Sequence, residues 1–381
     1  MLLPEHEAKA LFAEYGIAVP PGRVVGSGEE ALAAANALGL PVVLKVQARI
    51  GGRGRAGGVV RCDTLDAVSA AHARLAASWP EAGSPRGVLV EACVPTAIER
   101  YLAVAVDPRL GQPVLLVAAT GGVAVEEQGT EALVRVPVDF SLGLQPYHAV
   151  GALAAAGWPR ERLVAGADLA TRLYRLFGEQ EAIVAEINPL AETADGALVA
   201  LDARVAVDDG ALFRLPRWRE RVLADEATYR QEAWKLHHGF DYVDLDVGGT
   251  IGLISTGAGG TMLLADLIRA RGGQPANFVD LRTGGMRGDS TRLEMVLGRL
   301  RACPHLRAAL VCVFAGITDG SQFAETLLQA IDRVGSVPWP LVVRLEGYGA
   351  ERGLALVAAQ GHTAVRDLDE AVGRVVALAG A

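Results

Sequence analysis

Along the chain the apolar positions switch repeatedly between a helical spacing and the unbroken runs of buried strands. From Glu5 they fall at Ala8, Leu11, Phe12 and Tyr15, one face of a helix, with Gly16 placed as its C-cap. The pattern next predicts a strand at Arg23 to Val25, a helix from Gly28 to Leu38 closed by Gly39, and an apolar strand from Pro41 to Val46. A helix between Leu65 and Ser78 precedes strands at Gly87 to Glu91, Tyr101 to Val106 and Val114 to Ala118, the last followed by Gly121-Gly122. Val150 to Ala156 and Leu163 to Phe177 suit helices, and the charged stretch Arg217 to His238 predicts a connecting helix. A boundary near Gly239 divides residues 1–239 from 240–381. In the second part, strands at Ile251 to Ser255, Ala276 to Leu281, Ala309 to Phe314 and Leu341 to Leu345 alternate with helices at Leu263 to Arg271, Ser290 to Arg301 and Ala324 to Val334. That order implies a parallel sheet of right-handed βαβ units, and the chain as a whole is α/β. Glycines follow those strands at Gly257, Gly259-Gly260, Gly284-Gly285, Gly316 and Gly347, at the edge where open sheets bind ligands.

Within the first part lies a hairpin signal. Ile183 to Leu190 and Ala197 to Arg204 are β-rich runs separated by Ala194-Asp195-Gly196, and an Asp-Gly turn supplies the positive φ of a tight connection. Alternation puts Glu186 and Asn188 on one face. With 194–196 as the loop, Asn188 falls opposite Asp202, unless Pro189 shifts the register through a bulge. An amide oxygen and a carboxylate are hard ligands that suit Mg²⁺ held against substrate phosphates; strand-end or turn-capping roles are the alternative.

Composition narrows the class. The 381 residues suffice for two or three domains, and 45 glycines without a collagen-like repeat fit many strand-to-helix turns. A formal charge of -8 argues against a nucleic-acid surface while leaving room for a local cationic pocket. Cys62, Cys93, Cys303 and Cys312 are scattered without metal-binding spacing, the acidic N-terminal stretch lacks the apolar run of a signal peptide, and no segment has the length of a membrane helix. A cytoplasmic location, with no membrane and no nucleic acid among its partners, is the expectation.

Against that background Lys45 stands out as a cation inside a Val/Leu strand, where a lysine faces an anion or lies on a solvated edge. The loop Gly51-Gly52-Arg53-Gly54-Arg55-Ala56-Gly57-Gly58 follows at once. Its glycines allow backbone N–H groups to approach phosphate and its arginines add planar donors, although it has neither the Walker nor the Rossmann pattern. Glu91 and Glu99 flank the next strands and can accept hydrogen bonds from an amine or from ribose hydroxyls; surface charges are the alternative.

Lys45, the Gly51–Gly58 loop, Glu186-Ile187-Asn188-Pro189-Leu190, Leu201-Asp202 and Asp209-Gly210-Ala211-Leu212-Phe213-Arg214 together resemble the β subunit of succinate–CoA ligase. Pro275-Ala276-Asn277-Phe278, Phe314-Ala315-Gly316-Ile317-Thr318 and Val343-Arg344-Leu345-Glu346-Gly347 extend the resemblance over nearly the whole chain. It implies an ATP-grasp N-terminal region and a flavodoxin-like CoA-ligase C-terminal domain. It also implies ATP at Lys45, Gly52, Arg53, Gly54, Glu91, the backbone of Val94 and Glu99, and Mg²⁺ at Asn188 and Asp202. Glu186 would orient a phosphorylated histidine presented by an α subunit, in a heterodimer or an α2β2 heterotetramer. The dicarboxylate substrate would meet Thr256, Gly316, Ile317 and Thr318, and CoA would be bound mainly by the α subunit. The implied reaction is ADP-forming: phosphohistidine phosphorylates the acid, and CoA attacks the acyl phosphate, a step of the tricarboxylic acid cycle when the acid is succinate. None of the chain's seven histidines lies in a glycine-rich strand-to-helix loop, which fits a donated histidine.

Three departures fall on the acyl side. Thr256 stands where the family has Asn, Asp319-Gly320-Ser321 stand where it continues Arg-Cys-Asp, and Leu281-Arg282-Thr283-Gly284-Gly285-Met286-Arg287 replaces a glycine run. They leave malate or another acid as an alternative substrate, and a nucleotide-binding subunit altered in catalysis as an alternative function.

Overall fold

The computed structural model describes residues 1–49, 56–78, 87–122, 133–246, 248–286, 288–316 and 318–380. Two compact units emerge, Met1–Arg230 and Gln231–Ala381. No helix among the described residues is long and apolar enough to cross a membrane.

The first unit begins with helix α1 (Glu5–Glu14), which buries Ala8, Leu11 and Phe12, and Gly16 follows with φ +73°. A four-stranded antiparallel sheet has the order β1-β4-β2-β3, from β1 (Gly22–Val25), β2 (Val42–Val46), β3 (Val59–Cys62) and β4 (Val88–Ala92). Helices Gly28–Leu38 and Leu65–Ser78 pack on it through Ala31, Ala34, Ala35, Val68 and Leu75. The first of these starts where Ser27 accepts from the Glu30 N–H and stops at Gly39, whose φ of +80° only glycine adopts without strain.

A larger antiparallel sheet contains β5 (Ile98–Asp107), β6 (Gln112–Ala118), β7 (Val134–Pro137), β8 (Ala182–Glu192), β9 (Leu198–Ala200) and β10 (Arg204–Val207). Its order is β10-β8-β5-β6-β7, with β9 paired to β8. Helices Pro146–Ala155 and Leu163–Glu179 pack together against it. The short strands β3 and β7 were not legible in the pattern; both have mostly exposed or half-buried side chains, so no apolar run marks them.

The expected single helix from Arg217 to His238 is two, Pro216–Ala224 and Arg230–His238. The break has a local cause. Asp225 accepts from the Thr228 N–H, and Tyr229 is fully buried with its hydroxyl donating to Glu7 at 2.7 Å. Satisfying those groups turns the chain out of the helix.

In the second unit β11 (Asp241–Asp244) pairs antiparallel with β13 (Asn277–Asp280), while β12 (Ile251–Ser255), β14 (Ala308–Ala315), β15 (Leu341–Gly347) and β16 (Thr363–Val365) form a parallel sheet in that order. Period-2 alternation buries both faces. Ile254, Val311, Val313, Val343 and Leu345 meet helices Thr291–Arg301, Gly320–Val334 and Ala350–Ala359. Ile251, Leu253, Leu310, Cys312 and Val342 meet helices Ala258–Ala270 and Leu368–Gly380. This is a doubly wound layer.

One strand joins the layer in an unexpected way. The sequence pattern places β13 in the parallel sheet, and it does lie beside β12. Backbone bonds join the two at either end, Ala276 N–H to the Ile251 carbonyl at 2.8 Å and Leu281 N–H to the Ser255 carbonyl at 3.0 Å, but between them a side chain carries the link. Asn277, 1% exposed, donates to the Leu253 carbonyl at 2.9 Å and accepts from the Leu253 N–H at 2.8 Å, as a peptide group would. Replacing Asn277 by Ala leaves two buried backbone groups unpaired. The expected cost is about 3 kcal/mol of stability, measured as a lower urea midpoint for the second unit's transition.

Candidate functional site

Lys45 lies on β2, an interior strand flanked by β4 and β3, and is 7% exposed. The solvated-edge alternative therefore fails. Its ammonium donates to Glu5 Oε1 at 2.9 Å and to the Leu201 carbonyl at 2.5 Å, and lies 3.1 Å from Glu91 Oε2. Lys9 closes the arrangement, 2.9 Å from Glu5 Oε1 and 2.5 Å from Glu91 Oε1. Two lysines and two carboxylates thus form a ring of alternating charge, with Glu5 and Glu91 each only 2% exposed. Glu91 is no surface charge.

Burial by itself pushes the Lys45 pKa down, but Glu5, Glu91 and Asp202 outweigh it and hold the pKa above the ordinary lysine value. Lys9 shifts the other way. Burial comes first, the neighbouring charge of Lys45 second, and the attraction of Glu5 and Glu91 does not compensate. The ring thus keeps its firmest positive charge on Lys45, beside Leu201 and Asp202.

The hairpin carries the opposite side of the site. Pairs Glu192↔Leu198 and Leu190↔Ala200 flank a turn in which Thr193 accepts from Gly196 and donates to Ala197, with Gly196 at φ +87°. Beyond, Glu186 pairs with Arg204. These registers place Asn188 and Asp202 opposite each other on neighbouring segments. The bulge foreseen at Pro189 is on the other side of β8: Leu102 pairs with Ile187 but Arg100 with Leu190, so Asn188 and Pro189 are opposed to the single residue Tyr101 of β5. Glu186 and Asn188 share the half-buried face, and Ala185 and Ile187 are fully buried. Glu186 lies 3.9 Å from Arg204.

Gly121 and Gly122 complete this side. The Gly122 N–H donates to Asn188 Oδ1 at 2.6 Å, which fixes the orientation of the amide. A Cβ on Gly121 would lie 2.1 Å from the Arg100 carbonyl, and one on Gly122, at φ +66°, would lie 2.5 Å from Glu99 Oε2. Both positions require glycine. Glu99 is exposed on β5 beside this turn, and Val94 lies in the segment joining β4 to β5, its carbonyl accepting from the Thr96 hydroxyl. Gly52, Arg53 and Gly54 lie outside the described residues.

Glu5, Lys9 and the Gly121-Gly122 turn are contributions that the sequence pattern did not single out. A signal for the first two was present: with Ala8 and Phe12 they occupy positions 5, 8, 9 and 12, so two charges sit within the apolar stripe of α1.

The remaining candidates belong to the second unit, at the carboxyl edge of its parallel sheet. Thr256 follows β12, and Gly316 and Thr318 follow β14; Ile317 lies outside the described residues. The Thr318 and Thr283 hydroxyls are 3.2 Å apart. Arg282, in the altered glycine run, keeps a left-handed backbone at φ +49° and pairs with Asp241 at 2.8 Å; Arg287 lies outside the described residues. Asp319 caps the helix that follows, accepting from the Ser321 N–H at 2.8 Å and hydroxyl at 2.7 Å.

An ATP-grasp domain model matches residues 2–192, and a CoA-ligase model matches residues 254–375. The β subunit of the ADP-forming succinate–CoA ligase of Natronomonas pharaonis is 36% identical over 380 residues, covering 99% of this chain and 98% of its own. The chain belongs to this family of ligase β subunits. The corresponding subunit of Methylobacillus flagellatus is 39% identical over 376 residues, covering 95% of this chain and 94% of its own. A solved structure of ATP citrate lyase from Methanothrix soehngenii, with citrate and coenzyme A, covers 99% of both chains at a TM-score of 0.67 and 17% identity, a likeness of fold. Membership makes this protein an ATP-grasp, ADP-forming CoA ligase subunit, with ATP as co-substrate.

The charge ring gives the family's nucleotide half a physical test. Replacing Lys45 by Met removes one of the two ammonium groups bonded to Glu5 and Glu91, and the expected loss is about 3–5 kcal/mol of stability. Adding Glu5→Gln to Lys45→Met restores the charge balance and should recover much of that loss in denaturant titrations.

Proposed function

We propose that this chain is the catalytic β subunit of a heteromeric, ATP-dependent succinate–CoA ligase of the cytoplasm. Lys45 and the Gly52, Arg53 and Gly54 loop bind the triphosphate, with Glu91, the Val94 backbone and Glu99 around the rest of the nucleotide. Glu186 orients a histidine presented by an α subunit, which accepts the γ-phosphoryl group and passes it to the acid. CoA, bound mainly by that subunit, then attacks the acyl phosphate. Thr256, Gly316, Ile317 and Thr318 hold the dicarboxylate, and residues 1–239 and 240–381 divide the nucleotide and CoA-ligase functions.

The observation that carries this reading is the hydrogen bond from Lys45 to the Leu201 carbonyl, one residue from Asp202. It supports the reading because Lys45, taken as the phosphate-binding cation, is held beside the segment that carries Asp202, taken as a metal ligand. Asn188 and Asp202 supply two hard oxygen donors at opposed positions, and Asn188 Oδ1 already accepts from Gly122 and has a second lone pair. Among the described residues no cluster of three or more His, Cys, Asp or Glu is placed to hold a metal. A pair of protein oxygens therefore fits an ion that takes its remaining ligands from water and phosphate, as Mg²⁺ does. When bound, Mg²⁺ supplies neutralisation of triphosphate charge; Lys45 supplies the fixed positive charge beside it.

A hydroxylated dicarboxylate such as malate is the second reading, favoured by the Thr318 and Thr283 hydroxyls at the acyl edge. Asp319 does not oppose either acid as a loose charge, because its carboxylate is committed to the helix cap. Assayed as a complex with its partner, the protein should form ADP and an acyl-CoA thioester from Mg·ATP, CoA and one acid of a panel containing succinate and malate. Asp202→Ala should lower the rate by about 100-fold or more. Absence of thioester with every acid would refute the assignment.

A further inference from the structure

Glu5 and Lys9 have no part in the reaction as proposed above, yet both are charged and buried, 2% and 4% exposed, on the apolar stripe of α1. Burying an ion pair on the apolar stripe of a helix gains little stability over well-packed apolar side chains. Their position relative to Lys45 suggests another use.

An ammonium has three donors, and Lys45 faces three acceptors: Glu5 Oε1, Glu91 Oε2 and the Leu201 carbonyl. Turning toward a phosphate oxygen must therefore release at least one of them. If a carboxylate is released, its fate decides the cost. Glu5 Oε1 is shared between Lys45 and Lys9, both at 2.9 Å, and Glu91 offers Lys9 its other oxygen, Oε1, at 2.5 Å. Each carboxylate that Lys45 leaves is thus already bonded to a second lysine. Without that lysine, each carboxylate loses an ammonium that it is bonded to as Lys45 departs, and like charges in a dry site repel strongly.

We propose that Lys9 is the reserve counter-ion of the nucleotide site, retaining Glu5 and Glu91 while Lys45 turns to the triphosphate, and so setting nucleotide affinity without touching the nucleotide. This is a positioning role, and it rests on the reading that Lys45 binds the triphosphate. Glu5 serves as the shared acceptor that lets the two lysines exchange load.

The test is calorimetric titration of the full-length chain with Mg·ATP. Lys9→Gln should raise Kd by about tenfold or more, equivalent to about 1.4 kcal/mol. Lys9→Arg, which keeps the charge, should recover most of the affinity. The double variant Glu5→Gln/Lys9→Gln removes one carboxylate of the ring together with the lysine, so the departure of Lys45 takes a lysine from one carboxylate rather than two. It should bind within about threefold of the unaltered chain, and it serves alone should Lys9→Gln fail to fold. A packing role for Lys9 gives the opposite order, with the double variant at least as weak as the single. A Kd for Lys9→Gln within about twofold of the unaltered chain, or a double variant about tenfold weaker, overturns the proposal. No Mg·ATP binding by the unaltered chain overturns instead the placement of the nucleotide at Lys45.

Discussion

The first unit depends on the pairing of two buried ammonium groups with two buried carboxylates. The four residues come from three segments, α1, β2 and β4, and the same Lys45 that joins the ring also bonds the Leu201 carbonyl. A desolvated charge is tolerated only when it is paired and hydrogen-bonded, so none of the segments can shift alone. The ring therefore ties α1 and the small sheet to the segment between β9 and β10 that bears Asp202. It also differentiates two chemically identical groups. Lys45 has Asp202 as an additional neighbour and gains positive character, whereas Lys9 is held below the usual range.

Steric necessity shapes the other wall. The extra residue at Asn188 and Pro189 breaks the register between β5 and β8, and a bulge re-aims side chains that a regular ladder would keep in line. Gly121 and Gly122 approach so closely that no side chain could be added to either without displacing the Arg100 backbone or Glu99. Just beyond, Arg100 and Arg162 both bond Glu192 at the base of the hairpin, with the Arg100 guanidinium stacked 4.5 Å over Trp158. Fixed backbone on one side, and on the other an ion pair in which one Glu192 oxygen accepts two Arg100 N–H bonds, leave Asn188 little freedom, the preorganisation that the proposed metal role requires.

In the second unit the departures from the family pattern are absorbed without loss of the scaffold. Arg282 adopts the left-handed conformation expected of a glycine and is anchored by Asp241, and Asp319 becomes a helix cap. What changes is the chemistry displayed at the sheet edge, where hydroxyls of Thr283 and Thr318 meet. The altered run still buries Leu281 and Met286 in the core, so the scaffold is held there while the polar residues of the edge vary at little cost to packing.

By itself the sequence determined the helices from Gly28 to Leu38 and from Leu65 to Ser78, the alternation of helices with the parallel strands β12, β14 and β15 in the second unit, and the opposition of Asn188 to Asp202. Local information sufficed for each: apolar periodicity, a Ser cap, a glycine stop, and an Asp-Gly turn whose length sets the register on both sides. Strands β3 and β7 escaped because half-exposed pairing leaves no apolar signature, and the break at Asp225 escaped because it is made by a tyrosine bonding Glu7 far away in the chain. Only the tertiary structure decided that Lys45 shares its carboxylates with Lys9, that Glu91 is interior, and that the Gly122 N–H orients Asn188. Each joins residues tens of positions apart, and no spacing along a chain records which buried charge will meet which once the segments pack.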